Sequence, residues 1–311
     1  MTLRIGTRGS ALAMAQARTV ADAVAAATGT PVELVEISTA GDRSTAPVPE
    51  LGVGVFVSAL RDALAAKEID AAVHSYKDLP TAVVDGLHVA AVPPREDPRD
   101  ALVSRDGATL RQLPPGARVG TGAPRRTAQL RALGFGLDVV GVRGNVDTRL
   151  RKVADGELDA VVLACAGLAR LGRADEITEV LDPAQVLPAP AQGALAVECR
   201  ADDTDLVAAL ATVDHPVSRV AVTAERALLA GLEAGCSAPV AGFTEISPAG
   251  AGLEIRLHGA VIRPDGTRTV RLSRASTTSD DSAAAVAEQL GRDLAADLLT
   301  AGARTILEHD T

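Results

Sequence analysis

The stretch Ala71-Ala72-Val73-His74-Ser75-Tyr76-Lys77-Asp78-Leu79-Pro80 decides how the rest of the chain reads. Its opening apolar run, Ala71-Ala72-Val73, has the pattern of a strand buried on both faces. The run stops at a lysine beside a carboxylate, and Pro80 blocks regular structure from continuing. Open α/β sheets bind their ligands at the carboxyl ends of such strands. A lone Lys-Asp pair in a loop is also compatible with plain solvation, so the pair is weighed with the charged turns below.

Working outward, residues 3–7 form a short strand. Ser10 follows as a helix cap, Leu12, Ala13, Ala17, Val20 and Val24 recur at helical spacing, and Gly29 supplies the stop. Residues 32–39 alternate as a second strand, so the chain opens as βαβ. Residues 41–54 are rich in Gly and Pro and irregular. A helix over 56–67 leads into the quoted strand, and 88–93 reads as another. Pro93, Pro94 and Pro98 mark a crossing between domains. Beyond it the alternation resumes, with strands at 118–121, 138–143 and 160–165. Helices start at Pro124 and at Val146, and a short one lies around Leu168.

A second Pro-rich crossing at 187–192 precedes a strand at 194–199, and a double crossing returns that strand to the first domain. From about residue 217 the pattern changes. A helix over 217–232 leads to the loop Glu233-Ala234-Gly235-Cys236-Ser237-Ala238-Pro239. Antiparallel strands at 253–262 and 268–275 are joined by the turn Pro264-Asp265-Gly266, and a helix over 282–300 closes the chain. The expected division is residues 1–95 with 190–215 as a discontinuous α/β domain, 96–189 as a second α/β domain, and 216–311 as a small α+β domain.

Composition excludes several classes. With 47% apolar residues in 311, core formation is secure. A formal net charge of −9 argues against general nucleic-acid binding. Stacking platforms are absent too, since the chain has no Trp, one Tyr and three Phe. The N-terminus lacks a basic segment followed by an apolar one, and no apolar run is long enough for a bilayer, so a cytoplasmic protein is expected. Three widely spaced cysteines fit a reducing compartment, not a disulfide framework or a zinc site. The five histidines have no ligand spacing, and no metal is expected.

Three strand-to-helix turns place arginine close to a helix N-terminus. They are Thr7-Arg8-Gly9-Ser10, then Gly120-Thr121-Gly122-Ala123-Pro124-Arg125-Arg126, and Arg143-Gly144-Asn145-Val146-Asp147-Thr148-Arg149. Helix N-termini carry partial positive charge, and a cation there is disfavoured by roughly 0.3–1 kcal/mol. Pro124 suits the first helical position, which puts Arg125 and Arg126 in the first turn. Either the arginines extend into solvent or a bound anion offsets them, held by backbone N–H groups and guanidinium forks. Recurrence in three turns favours the anion. Carboxylate and phosphate satisfy the fork equally. No Walker or dinucleotide fingerprint is present. Cys165 and Cys199 end apolar strands and read as packing residues, whereas Cys236 sits in a loop of small residues where a thiol can be approached.

In order, the segments IGTRGSALAMAQA (5–17), DAAVHSYKDLP (70–80), REDPRDALVS (95–104), VGTGAPRR (119–126), VRGNVDTRL (142–150), AGLARLG (166–172), LPAPAQGALAVECR (187–200), TAERALL (223–229) and LEAGCSAPV (232–240) resemble the porphobilinogen deaminase (hydroxymethylbilane synthase) family over almost the whole chain. The resemblance implies two α/β domains of the type II periplasmic-binding-protein kind with a double crossover, plus a small α+β C-terminal domain. It implies a dipyrromethane cofactor joined by a thioether to Cys236. Catalysis falls on Asp78, with Lys77 beside it. Carboxylate binding falls on Arg8, Arg125, Arg126, Arg143 and Arg149. Ser10, Thr121 and Gln192 line the ligand site, and Phe56 lies near the cofactor.

The implied reaction is deamination and head-to-tail coupling of four porphobilinogen molecules, then hydrolysis to hydroxymethylbilane, by a cytoplasmic monomer. Loss of ammonia leaves an azafulvene cation, whose charge a carboxylate near the pyrrole N–H can stabilise. Two departures from the family pattern stand out. Gly122-Ala123 replaces two serines, which implies weaker ligand binding. Val53 in Gly52-Val53-Gly54 replaces a lysine. The competing class is a non-catalytic two-lobed receptor for a small polycarboxylate, which would need neither Asp78 nor Cys236.

Overall fold

The computed structural model describes residues 2–38, 57–235, 238–250 and 252–308. Phe56, Cys236 and the Gly52-Val53-Gly54 segment lie outside the described residues. By its internal contacts the chain forms two compact units, Met1–Glu96 with Gly193–Arg219, and Asp97–Gln192 with Val220–Thr311.

The first unit opens with β1 (Leu3–Thr7), α1 (Ala11–Thr28) and β2 (Val32–Glu36). Ser10 caps α1 by accepting the amide of Ala13, and Gly29 closes it with a left-handed φ of 69°. Such caps contribute about 1 kcal/mol each. α2 (Ser58–Ala65) leads into β3 (Ala71–Ser75), and β4 (Leu87–Ala91) follows. β3 is buried on both sides, as its apolar run requires. Ala71 and Val73 join the cluster of Val20 and Val24 from α1, whereas Ala72 packs with Leu60 and Leu64 of α2.

The second unit begins with β5 (Asp100–Ser104), a strand that the sequence pattern does not announce because Pro98 and Asp100 mask its start. β6 (Arg118–Thr121), α3 (Pro124–Ala132), β7 (Asp138–Gly141) and α4 (Val146–Ala154) follow. Then come β8 (Ala160–Ala164), α5 (Cys165–Arg170) and the short β9 (Glu179–Val180). Cys165 therefore does not end a strand as expected. Its amide donates to Arg99 O (3.0 Å), and the residue opens the helix, buried. The sheet order is β7-β6-β8-β5-β9, with β6 parallel to β7 and β8, and β5 antiparallel to β8. Leu130 of α3 packs with Val119 and Val162 on one face, and Leu150 of α4 with Val161 and Leu163 on the other.

β10 (Leu195–Arg200) returns to the first unit, where the sheet order is β2-β1-β3-β10-β4. It runs antiparallel to β3, with Leu195 opposite Ser75 and Val197 opposite Val73. In each sheet the antiparallel insert is thus the strand that follows a Pro-rich crossing. α6 (Thr204–Ala211), a helix beyond those expected from the sequence, covers this sheet with Leu210.

α7 (Pro216–Gly231) leads to β11 (Val240–Ala249), β12 (Gly252–Ile262), β13 (Thr269–Thr278) and α8 (Ala283–Leu298). The three strands form an antiparallel sheet in chain order. Its core joins Leu228 of α7, Ile255 and Leu257 of β12, and Leu290, Leu294 and Leu298 of α8. Ala241, Ala260 and Ile262 pack against Ala128 and Leu187, and Arg131 Nη1 donates to Pro264 O (3.0 Å). β11 is a further strand that the sequence pattern does not announce, since Gly242 and Pro248 interrupt its alternation.

Candidate active site

In the first unit the candidate residues collect at the carboxyl ends of β1 and β3, which are neighbouring parallel strands. Arg8 follows β1 and is half-buried, and Ser10 is the α1 cap. β3 ends in a tight 3-10 turn, Tyr76–Asp78. Tyr76 N donates to Ala194 O (3.0 Å) and Leu79 N to Tyr76 O (3.2 Å). Tyr76 and Leu79 are buried, so the turn anchors by its ends. Lys77 between them is half-buried, and Asp78 is pushed out to an exposed position.

Two polar networks brace this turn, and residue spacing alone does not reveal either. Gln16 Nε2 donates to Ser75 Oγ (3.0 Å), which fastens α1 to the residue before Tyr76. Gln16 lies three residues after Ala13 and four before Val20, so a polar side chain on the apolar face was the available signal. On the opposite face of β3, His74 Nε2 lies 3.1 Å from Glu198 Oε2, and Arg61 Nη2 donates to Glu198 Oε1 (2.8 Å). Burial by itself would raise the Glu198 carboxyl. Hydrogen bonds from His74 and Arg61, together with their charge, outweigh it and hold the group below the ordinary value.

In the second unit the candidates gather at the carboxyl ends of β6 and β7, also parallel neighbours. Thr121 ends β6, and Arg125 and Arg126 occupy the first turn of α3 behind Pro124. Both arginines are buried, and both turn onto Asp100, the first residue of β5, which is fully buried. Arg126 donates to Asp100 Oδ1 from Nε (3.0 Å) and Nη2 (2.8 Å). Arg125 Nη2 sits 2.8 Å from Oδ2, close enough for an ion pair although outside hydrogen-bond geometry. Gln192 Nε2 completes the cluster, donating to Asp100 Oδ1 and to Pro98 O, each at 2.7 Å.

Desolvation is the largest influence on Asp100 and pushes its pKa up. The two arginine charges and the bonds from Arg126 and Gln192 overcome it, so the carboxyl lies far below its usual range. Asp100 is thus an internal anion for a pair of cations at a helix N-terminus, 25 and 26 positions away in sequence and absent from the arginine-bearing turn itself.

Gln192 is held from behind. The preceding Ala191 adopts a left-handed φ of 60°, rare for a residue with a Cβ, and its amide donates to Glu225 Oε2 (2.6 Å) on α7. Glu225 Oε1 also accepts from Thr244 N (2.9 Å) on β11. α7 thereby ties the turn carrying Gln192 to the third sheet. The α7–β11 loop holds Cys236, which lies outside the described residues, while its flanks Ala234 and Ala238 pack on the core between α7 and α8.

Arg143 is exposed after β7, and Arg149 is half-buried in the first turn of α4, which Asn145 caps. Arg149 Nε donates to Gly144 O (2.9 Å). Burial, then the charges of Arg126 and Arg143, depress the Arg149 pKa, and no carboxylate pairs with it among the described residues. A guanidinium crowded by like charges is stabilised by an added anion. No group of three or more His, Cys, Asp or Glu among the described residues could hold a metal ion.

Fold and site together define an α/β protein with arginine-bearing turns at its strand ends, a buried arginine–carboxylate cluster and an added α+β domain. Family models give the finer assignment. The dipyromethane cofactor binding domain of porphobilinogen deaminase matches residues 3–208, and the porphobilinogen deaminase C-terminal domain matches residues 219–300. The porphobilinogen deaminase of Nocardia farcinica is 59% identical over 310 residues, covering 98% of this chain and 88% of that protein. That of Mycobacterium tuberculosis is 57% identical over 310 residues, covering 98% of both. Among solved structures, the methionine-binding protein MetQ aligns with 68% of this chain and 89% of its own at 16% identity and a TM-score of 0.43. The chain belongs to the porphobilinogen deaminase family.

Proposed function

We propose that the chain is a transferase, a hydroxymethylbilane synthase that deaminates four porphobilinogen molecules and couples them head to tail on a covalent primer. Family membership across the chain supports this, and the observation that carries it is the crowding of Arg149 by Arg126 and Arg143 with no acidic partner among the described residues. Each porphobilinogen brings two carboxylates, and Arg149 has no such partner among the described residues. The donor set fits a dipyrromethane on the same ground, since that group carries carboxylates of the same kind. When bound, it would supply the free α-carbon from which the chain grows.

Arg8, Arg143 and Arg149 bind carboxylates and orient the rings, with Ser10 and Thr121 as hydroxyl partners. Arg125 and Arg126 share Asp100, which balances one of their two charges and keeps their forks in place, and Gln192 stabilises that arrangement. Phe56 contributes apolar contact. Asp78, exposed at the tip of a braced turn, accepts the pyrrole N–H and stabilises the positive charge left when ammonia departs. Lys77 adds a cation beside it for a carboxylate. Cys236 is the attachment point for the primer.

The same reading takes residues 1–95 with 190–215, 96–189 and 216–311 as domains, and the enzyme as a cytoplasmic monomer with porphobilinogen as its partner. Among the described residues no helix is long and apolar enough to cross a membrane. Intact mass of the purified protein tests the function. A dipyrromethane adduct is expected that Cys236→Ala removes, followed by one-ring additions on exposure to porphobilinogen. Unmodified protein that leaves porphobilinogen untouched would refute it.

A further inference from the structure

α3 carries a buried amide that the proposed mechanism does not use. Gln129 lies one helical turn after Arg125 and is 5% exposed. Its side chain meets both backbone groups of Leu187, 58 residues further on. Oε1 accepts from Leu187 N (2.7 Å), and Nε2 donates to Leu187 O (3.0 Å). A carboxamide offers a donor and an acceptor side by side, which is what one residue of backbone presents. Arg125 Nη1 donates to the same Leu187 O, while Arg125 Nη2 faces Asp100 Oδ2. One carbonyl thus joins Gln129 to Arg125, and Gln129 fixes where that carbonyl stands. Leu187 also opens the crossing that ends at Gln192. Two further bonds fasten that crossing, with Pro188 O accepting from Gly242 N (2.9 Å) and Ala191 N donating to Glu225.

We propose that Gln129 is a positioning residue for carboxylate binding: it registers Leu187 on α3 so that the Leu187 carbonyl holds the Arg125 guanidinium in place. Arg125 occupies the first turn of α3 and shares Asp100 with Arg126. Asp100 holds Arg125 through one terminal nitrogen, and the Leu187 carbonyl is the second point, which fixes the plane of the fork. Without the Gln129 amide, a buried Leu187 N–H loses its acceptor and the carbonyl is released to move off Arg125. That the ligand is a carboxylate rests on the function proposed above, whereas the link from Gln129 through Leu187 to Arg125 does not. Gln129 acts through Arg125, so its substitution should raise KM or lower primer occupancy and spare kcat.

The experiment compares wild type with Gln129→Met, which keeps the length of the side chain and removes both hydrogen-bonding groups, and with Leu130→Ala. Leu130 lies on the same helix but packs with Val119 and Val162, in a different cluster from Leu187, so its truncation loosens α3 and leaves the amide intact. The readouts are the fraction of protein carrying the primer by intact mass, KM and kcat for porphobilinogen, and Tm. Gln129→Met is expected to raise KM or reduce occupancy roughly tenfold, the worth of one charge-assisted hydrogen bond, with kcat in loaded protein nearly constant. Leu130→Ala is expected to lower Tm while KM and occupancy stay within about twofold of wild type. Gln129→Met with wild-type KM and occupancy, or equal losses in the two variants, would overturn the proposal.

A Tm cycle of Gln129→Met and Arg125→Lys reports the link itself. Lysine keeps a charge facing Asp100 and lacks the planar fork, so in its presence the loss on substituting Gln129 should shrink. Additive losses would overturn the proposal. If Gln129→Met fails to accumulate, Gln129→Asn takes its place under the same outcomes, since its amide falls one methylene short of Leu187. Failure of both to fold assigns Gln129 to the core alone and overturns the proposal. A wild type that consumes no porphobilinogen would refute the function alone, since the Tm cycle needs no turnover to report whether Gln129 acts through Arg125.

Discussion

Replacing Asp100 by Asn tests the buried cluster most directly. The side chain keeps its shape and one oxygen that can accept from Arg126 and Gln192, but the charge facing Arg125 and Arg126 at 2.8 Å each is lost. Removing one partner of a buried ion pair costs about 3–5 kcal/mol, because the remaining charge stays desolvated. At about 2 °C per kcal/mol for a chain of this size, Tm should fall by roughly 6–10 °C. The pH dependence has a definite sign. The Asp100 pKa is depressed below its ordinary value of 3.8 by the fold, so its contribution is complete above that value and declines as pH falls below it toward the folded-state pKa. Thermal melts of both proteins at pH 7, 5, 4 and 3 should therefore show a full gap at pH 7 and 5 that narrows below about pH 4. A gap at pH 7 worth under about 1 kcal/mol, the scale of a surface pair, would refute the reasoning. So would a gap that stays constant into acid.

Further outcomes are expected. Asp78→Asn should leave Tm within what a surface change allows, about 0.5 kcal/mol, and should retain the primer mass while lowering kcat by roughly 10²–10³; near-normal hydroxymethylbilane formation would discard the electrostatic role of Asp78. Arg149→Ala should impair primer assembly or elongation more than it impairs folding, as read by intact mass beside Tm, and full activity would contradict carboxylate binding there. Glu198→Gln should destabilise the first unit by about 3 kcal/mol through loss of the charge facing Arg61 and His74. Because the Glu198 pKa is lowered from 4.5, the wild-type advantage should be complete above that pH and shrink below it, and a pH-independent difference would remove the ion pair from the account.

Much of the molecule is legible without coordinates wherever its cause is local. Ser10 and Gly29 bound α1 by rules acting within one helical turn, and the apolar run before Lys77-Asp78 marks a strand covered on both faces. Crossings at 93–98 and 187–192 announce themselves by proline. Strands that begin at a charge or contain Gly and Pro do not, which is why β5 and β11 escape a reading of periodicity. The same blindness hid Asp100, whose acidic side chain at a strand start resembles a solvated loop residue until α3 is folded onto it.

By itself, then, the sequence determined the alternation of strands and helices, the three arginine-bearing turns, the family and the identity of the acidic and thiol candidates. All of these depend on residue type and near-neighbour spacing. Only the tertiary structure decided how the charges are balanced. Asp100 meets Arg126 across 26 residues of chain, Glu198 meets Arg61 across 137, and Leu187 meets Gln129 across 58. Coulomb energy and desolvation depend on distance through space and on burial, and neither is written in the order of the residues.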